Sequence, residues 1–237
     1  MDSKKLSFSK EMRLATRDIH SVSDGLVNAK LAFALYDNAV WAEGLIIFYE
    51  IFKFLEQHVA NDFLPDEFHR TQQFEQDLNT YLGSDWRNSY HPRKEVLDYI
   101  KHLEELERQN PNLLVAYVYH LYMGLLSGGQ ILQKRKNMSK KFNFFASKTT
   151  STEGAAITTF EDNSIYELKQ KMRKIVDDFG DRLDEDTRQQ LVAESRKVFE
   201  LNNCVIRTVS GVNKANVRVL MYVGIVIIGI AAVRMIW

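Results

Sequence analysis

Apolar residues recur along this chain mostly three and four positions apart, and that spacing predicts an all-α body. A first helix is expected from Ser7 or Ser9 to about Val22. A second, Trp41 to Ala60, carries Leu45, Ile46, Phe48, Tyr49, Ile51, Phe52 and Leu55. After Pro65 a helix from Phe68 to Leu82 rests on Phe74 and Leu78; Gly83 closes it and Trp86 lies in the turn. Glu95 to Gln109 shows one apolar face through Val96, Leu97, Ile100, Leu103 and Leu106. Asn110 then supplies an N-cap and Pro111 a first helical residue, so the next helix runs from there to Lys136. Two more helices are expected near Ile165–Phe179 and Asp186–Val209. Strand signals are confined to Phe142–Phe145 and Ala156–Phe160, within a polar, small-residue stretch that reads as loop.

The helix after Asn110 interrupts its own pattern with Gly124, Gly128 and Gly129. Each glycine inside a helix costs roughly 1 kcal/mol against alanine, so three need a reason. One is a kink or close helix packing through small residues. The other is a flat ligand lying against backbone that no side chain covers. Periodicity leaves both open.

At the far end the pattern stops alternating. Val219 to Val233 is uninterrupted apolar, bounded by Arg218 and Arg234 and followed by Trp237. The run is short for a span of ~20 residues, but flanking arginines can snorkel and a tryptophan suits the interface. We therefore expect a C-terminal membrane anchor at 219–237, a linker at 211–218 and one domain over 1–210. Arg207, Lys214 and Arg218 before the run leave that domain in the cytosol by the positive-inside rule. Met1 to Lys10 is polar and charged and carries no leader pattern.

Composition narrows the chemistry. At 45% hydrophobic residues the chain can bury a substantial core. Its 31 basic and 31 acidic residues balance, which argues against nucleic acid as a partner. Cys204 is the only cysteine, which excludes an internal disulfide and a cysteine-based zinc site. His20 has Arg13 seven residues before it and Asp24 four after, placing all three on one face of the expected first helix. An imidazole whose other nitrogen can meet a carboxylate suits an iron or zinc ligand. Lys169 and Arg173 form an i,i+4 cation pair that could join Arg13 in holding a dianion.

Five local matches, in order, resemble the heme oxygenase family across nearly the whole body. They are Ala15-Thr16-Arg17-Asp18-Ile19-His20; Phe68-His69-Arg70 leading to Glu75-Gln76-Asp77-Leu78; Leu113-Leu114-Val115-Ala116; Leu126-Ser127-Gly128-Gly129-Gln130; and Phe199-Glu200-Leu201-Asn202. The resemblance implies a single-domain helical bundle with heme between a proximal and a kinked distal helix, and tail-anchoring in the endoplasmic reticulum membrane. It implies His20 as the iron ligand with Asp24 beside it. It further implies Arg13, Lys169 and Arg173 as propionate-binding cations, Tyr119 as a hydroxyl partner, and Gly124 and Gly128 under the porphyrin. Heme is then substrate and cofactor, cleaved to biliverdin, carbon monoxide and ferrous iron with electrons from NADPH through NADPH–cytochrome P450 reductase. Biliverdin reductase is a further candidate partner.

The departures are as informative. The family generally has an aspartate after the first distal glycine, ordering waters for proton delivery; here that position is Leu125, the pattern of an insect-like variant. Leu121 stands where an arginine is common and Phe52 where a tyrosine is usual. Turnover is therefore expected to be slow and of loose regiospecificity. The alternative is a heme-binding sensor or buffer. A basic cluster at Lys134, Arg135, Lys136, Lys140 and Lys141 is expected to dock an acidic reductase face.

Overall fold

The computed structural model describes residues 6–31, 37–142, 154–160 and 163–210, and among them regular structure is helical throughout. The α-helices are α1 (Phe8–Ala15), α2 (Arg17–Leu31), α3 (Asn38–His58), α4 (Thr71–Leu82), α5 (Lys94–Gln109), α6 (Leu114–Gly124), α7 (Gln130–Phe142), α8 (Ile165–Gly180) and α9 (Glu185–Arg207). Several begin where the sequence offers a side-chain cap. Asp37 accepts from the Ala39 N–H at 2.9 Å to start α3, and Asp184 accepts from the Thr187 N–H at 2.8 Å to start α9. Asn110 accepts from the Asn112 N–H, and Pro111–Leu113 form a 3₁₀ turn that leads into α6.

Helix α6 forms the centre. Leu114 to Tyr119, Leu121 and Tyr122 are all buried, as expected for a helix apolar on every side. Helices α5, α8 and α9 pack against it, α3 pairs with α4, and α2 lies along α9. Helix α1 sits on α8 and α9 so closely that a Cβ at Gly180 would come within 2.4 Å of the Phe8 Cβ. Arg188, 8% exposed, fastens the same corner: it lies over the Phe8 ring and donates to Glu11 and to the Gly180 carbonyl.

Two expectations change, and the stretch read as loop around Ala156–Phe160 takes a definite turn. The first helix is broken at Thr16, whose hydroxyl donates back to the Met12 carbonyl at 3.0 Å, and its second half continues past Val22 to Leu31. Phe68 belongs to a 3₁₀ turn, Asp66–Phe68, ahead of α4. Ala156–Phe160 is not a strand. The Asp77 carboxylate, 2% exposed, takes the Ala156 and Ile157 N–H groups at 2.8 and 3.1 Å, which bends 156–158 into a 3₁₀ turn. Arg70 secures the segment by donating to the Thr159 carbonyl at 2.8 Å and lying over the Phe160 ring. Residues 143–145 of the other strand signal, the linker at 211–218 and the apolar run at 219–237 lie outside the described residues. Among those described, no helix is long and apolar enough to cross a membrane.

Candidate functional site

The glycine run does what neither simple reading of it required alone. At Leu125–Gly129 the helix widens into a π-turn before α7 resumes, a conformation that is rare and often found at functional sites. A Cβ at Gly124 or Gly128 would meet nothing within 4 Å, so bare backbone faces open space there. Gly129 is different: a Cβ would lie 3.0 Å from Leu125 Cδ1 and 3.7 Å from Thr158 Cγ2. Two glycines keep a surface clear and the third lets the interior close.

His20 stands on α2 with 54% of its side chain exposed, and its Nδ1 lies 3.1 Å from Asp24 Oδ2. That pairing leaves Nε2 for a ligand. The His20 ring is 5.3 Å from Phe199 of α9, and Phe199 is 5.0 Å from His120 of α6. His120 precedes Gly124 by four residues, so one shared phenyl ring links the exposed imidazole to the face of α6 that Gly124 leaves bare. The site thus depends on α9, on which α2 and α6 both pack.

Arg13 and Arg173 both act through space on the Tyr119 hydroxyl. Burial raises the Tyr119 pKa, and the Arg173 and Arg13 guanidiniums oppose that rise. Because Thr16 breaks the helix, Arg13 belongs to α1, apart from the α2 turn that carries His20 and Asp24. Lys169, half-buried, lies one turn before Arg173 on α8. Two members of this cluster were not foreseen. The Ser9 carbonyl accepts the Tyr119 hydroxyl at 3.0 Å, and Asp177 accepts the Ser9 N–H at 2.7 Å. Tyr119 therefore spends its proton on backbone in this structure and keeps its oxygen lone pairs.

The positions that depart from the family pattern are filled with packing. Leu121 is 6% exposed, and Phe52, 4% exposed, packs among Phe74 and Tyr122. Polar contacts around α6 lie on more than one side: Tyr117 donates to Glu194 at 2.6 Å with His102 Nε2 3.1 Å from the same oxygen, Tyr99 donates to Asn202, and Tyr122, beside Phe52, donates to Glu56 at 2.8 Å. Tyr49 donates to Glu75 between α3 and α4, away from the π-turn. The expected basic cluster is smaller than it reads. Lys136, 1% exposed, turns inward to Asn38 and the rings of Trp41 and Tyr81, while Lys134 and Arg135 stay at the surface. The side chains of Lys140 and Lys141 lie outside the described residues.

An exposed imidazole, a stretch of uncovered helix backbone and the Arg13 and Arg173 guanidiniums thus lie on one all-helical body. Comparison with known proteins gives the family. A model of the heme oxygenase family matches residues 6–208. Heme oxygenase 1 of Pongo abelii is 28% identical over 215 residues, 85% of this chain and 71% of that protein. The heme oxygenase of Rhodella violacea is 27% identical over 202 residues, 81% and 82% of the two. Among solved structures, heme oxygenase 2 from Chlamydomonas reinhardtii without heme superposes with a TM-score of 0.77 at 28% identity, covering 86% of this chain and 97% of that one. Heme oxygenase-1 from Synechocystis in complex with heme shares the fold, with a TM-score of 0.77 at 23% identity over 93% and 100% of the chains. The chain belongs to the heme oxygenase family.

Proposed function

We propose that this protein cleaves heme to biliverdin, carbon monoxide and ferrous iron. The observation that carries the reading is the pairing of an exposed, carboxylate-oriented His20 with backbone left bare at Gly124 and Gly128. The residues fit the group: His20 Nε2 would hold iron, Gly124 and Gly128 would border the ring, and Arg13, Lys169 and Arg173 would bind the propionates. Bound heme supplies both the iron that activates oxygen and the ring that is cut. Asp24 accepts the His20 Nδ1 proton and fixes the ring's tautomer, as a carboxylate behind a metal-binding histidine does.

Leu125 bears on the rate. Its side chain lies against Gly129, and a leucine offers no hydrogen bond to the waters that an aspartate would order. A charge-assisted contact of roughly 1.5–3 kcal/mol is worth about tenfold or more in rate, so turnover is slow and the cleavage position loosely set. The same substitution supports a second reading, a heme-binding sensor or buffer with little turnover.

Electrons come from NADPH through NADPH–cytochrome P450 reductase, with Lys134 and Arg135 on the docking face, and biliverdin reductase takes the product. Residues 1–210 are the catalytic domain, 211–218 a linker and 219–237 an anchor in the endoplasmic reticulum membrane, with the domain facing the cytosol. The test is reductase-driven turnover of the hemin-loaded full chain. Disappearance of the Soret band with appearance of biliverdin supports the enzyme; a Soret band that persists while reductant is consumed supports the sensor or buffer. Charge reversal at Lys134 and Arg135 should slow the reductase-driven rate at low salt and leave the ascorbate-driven rate unchanged.

A further inference from the structure

His120 lies beside the site and has no part in the reading above. It follows Tyr119 on α6 and precedes Gly124 by one turn, so it shares the face on which Gly124 opens to space. Its ring stands edge-on to Phe199, 5.0 Å between centroids and 66° between planes, and lies 5.0 Å from the Tyr119 ring. In that aromatic setting Nε2 has no contact with solvent and no hydrogen-bond partner among the described residues. Burial, and after it the nearby His20, hold the His120 pKa down at about 3, so the ring is neutral in ordinary buffers.

A buried polar nitrogen without a partner costs roughly 1–3 kcal/mol. A phenyl ring would pack between Phe199 and Tyr119 without that cost. What distinguishes histidine here is Nε2, a buried nitrogen that none of the described residues uses. We infer that His120 Nε2 is a ligand-binding position of this site, completed by a hydrogen-bonding oxygen that arrives with heme. That oxygen is a propionate carboxylate or a water enclosed with the ligand. A neutral imidazole serves either one, as donor or acceptor according to tautomer. The inference rests on the heme reading and adds a residue to it.

The experiment titrates hemin into the heme-free full chain, wild type against His120→Phe and His120→Gln, and also measures thermal unfolding without heme. The two readouts should diverge. His120→Phe removes the orphaned nitrogen, so the heme-free protein melts at the same or a higher temperature while hemin binds about tenfold more weakly. His120→Gln keeps a hydrogen-bonding group and recovers part of the affinity. Hemin dimethyl ester separates the sources: a His120→Phe penalty that vanishes with the ester assigns the carboxylate, and one that persists assigns the water. Unchanged hemin affinity in His120→Phe, or affinity and heme-free stability falling together, overturns the inference and leaves a packing residue. Wild-type protein that takes up no hemin overturns the heme reading and this inference with it, whereas equal uptake by wild type and variant overturns the inference alone.

Discussion

At the scale of single residues, His20 and Leu125 make opposite tests of the site. His20→Ala should weaken hemin binding or change its coordination and abolish turnover, with added imidazole restoring part of both. An absorption spectrum and a rate identical to wild type would mean that the iron is held elsewhere. Leu125→Asp should raise the rate about tenfold or more if the missing carboxylate limits proton delivery, and should narrow the product to fewer biliverdin isomers by chromatography. Helical spacing put His20 and Asp24 on one face and residue type marked the three glycines, but which glycines would face a ligand, and what His20 would hold, came only from the family resemblance. His120 was not legible. Its character lies in an unpaired nitrogen, which only tertiary packing creates. Tyr119 was legible as a member of the cluster, but its bond to the Ser9 carbonyl crosses 110 residues and leaves no local mark.

At the scale of elements, the π-turn divides the glycines into two duties, and the division can be measured. Gly128→Ala adds a methyl where nothing lies within 4 Å. It should leave the heme-free fold intact or stabilise it by up to about 1 kcal/mol, since alanine is the better helix former. The same methyl stands on the surface proposed for the ring, so hemin affinity should fall. Loss of heme-free stability with unchanged hemin affinity would contradict the assignment. The capped helix starts at Asp37, Asn110 and Asp184 could be read directly, because caps are local chemistry. The break at Thr16 could not, because nothing in the pattern separates a bend from a continuous helix. Nor could the turn at 156–158, whose N–H groups are satisfied by a carboxylate about 80 positions earlier in the chain.

At the scale of the molecule, polar pairs tie distant helices around α6, and one of them sets a pH window. Burial pushes Glu194 upward, but the hydrogen bonds from His102 and Tyr117 outweigh it and hold the carboxyl below its ordinary value of 4.5. The unfolded chain then takes up that proton first, so the stabilisation is complete above about pH 4.5 and is lost as pH falls through the lower folded value. Glu194→Gln should reduce stability near neutrality and flatten the dependence below pH 4.5, as denaturant unfolding across pH would show. Deletion of Val219–Trp237 should move the protein from the membrane pellet to the supernatant with hemin binding retained. A full chain already in the supernatant after cell fractionation would remove the anchor. The all-α class was plain from periodicity, whereas the placement of α1 against α8 depends on Phe8 meeting Gly180, a contact that no pattern announces.

The most direct test is a single turnover. The full chain in detergent is loaded with one equivalent of hemin, given ascorbate and oxygen, and its products are separated by chromatography while the Soret band is followed. The account predicts that the Soret band decays and that biliverdin, as more than one isomer, is recovered in proportion to the heme lost. Heme recovered intact, or bleached without any biliverdin, would contradict it.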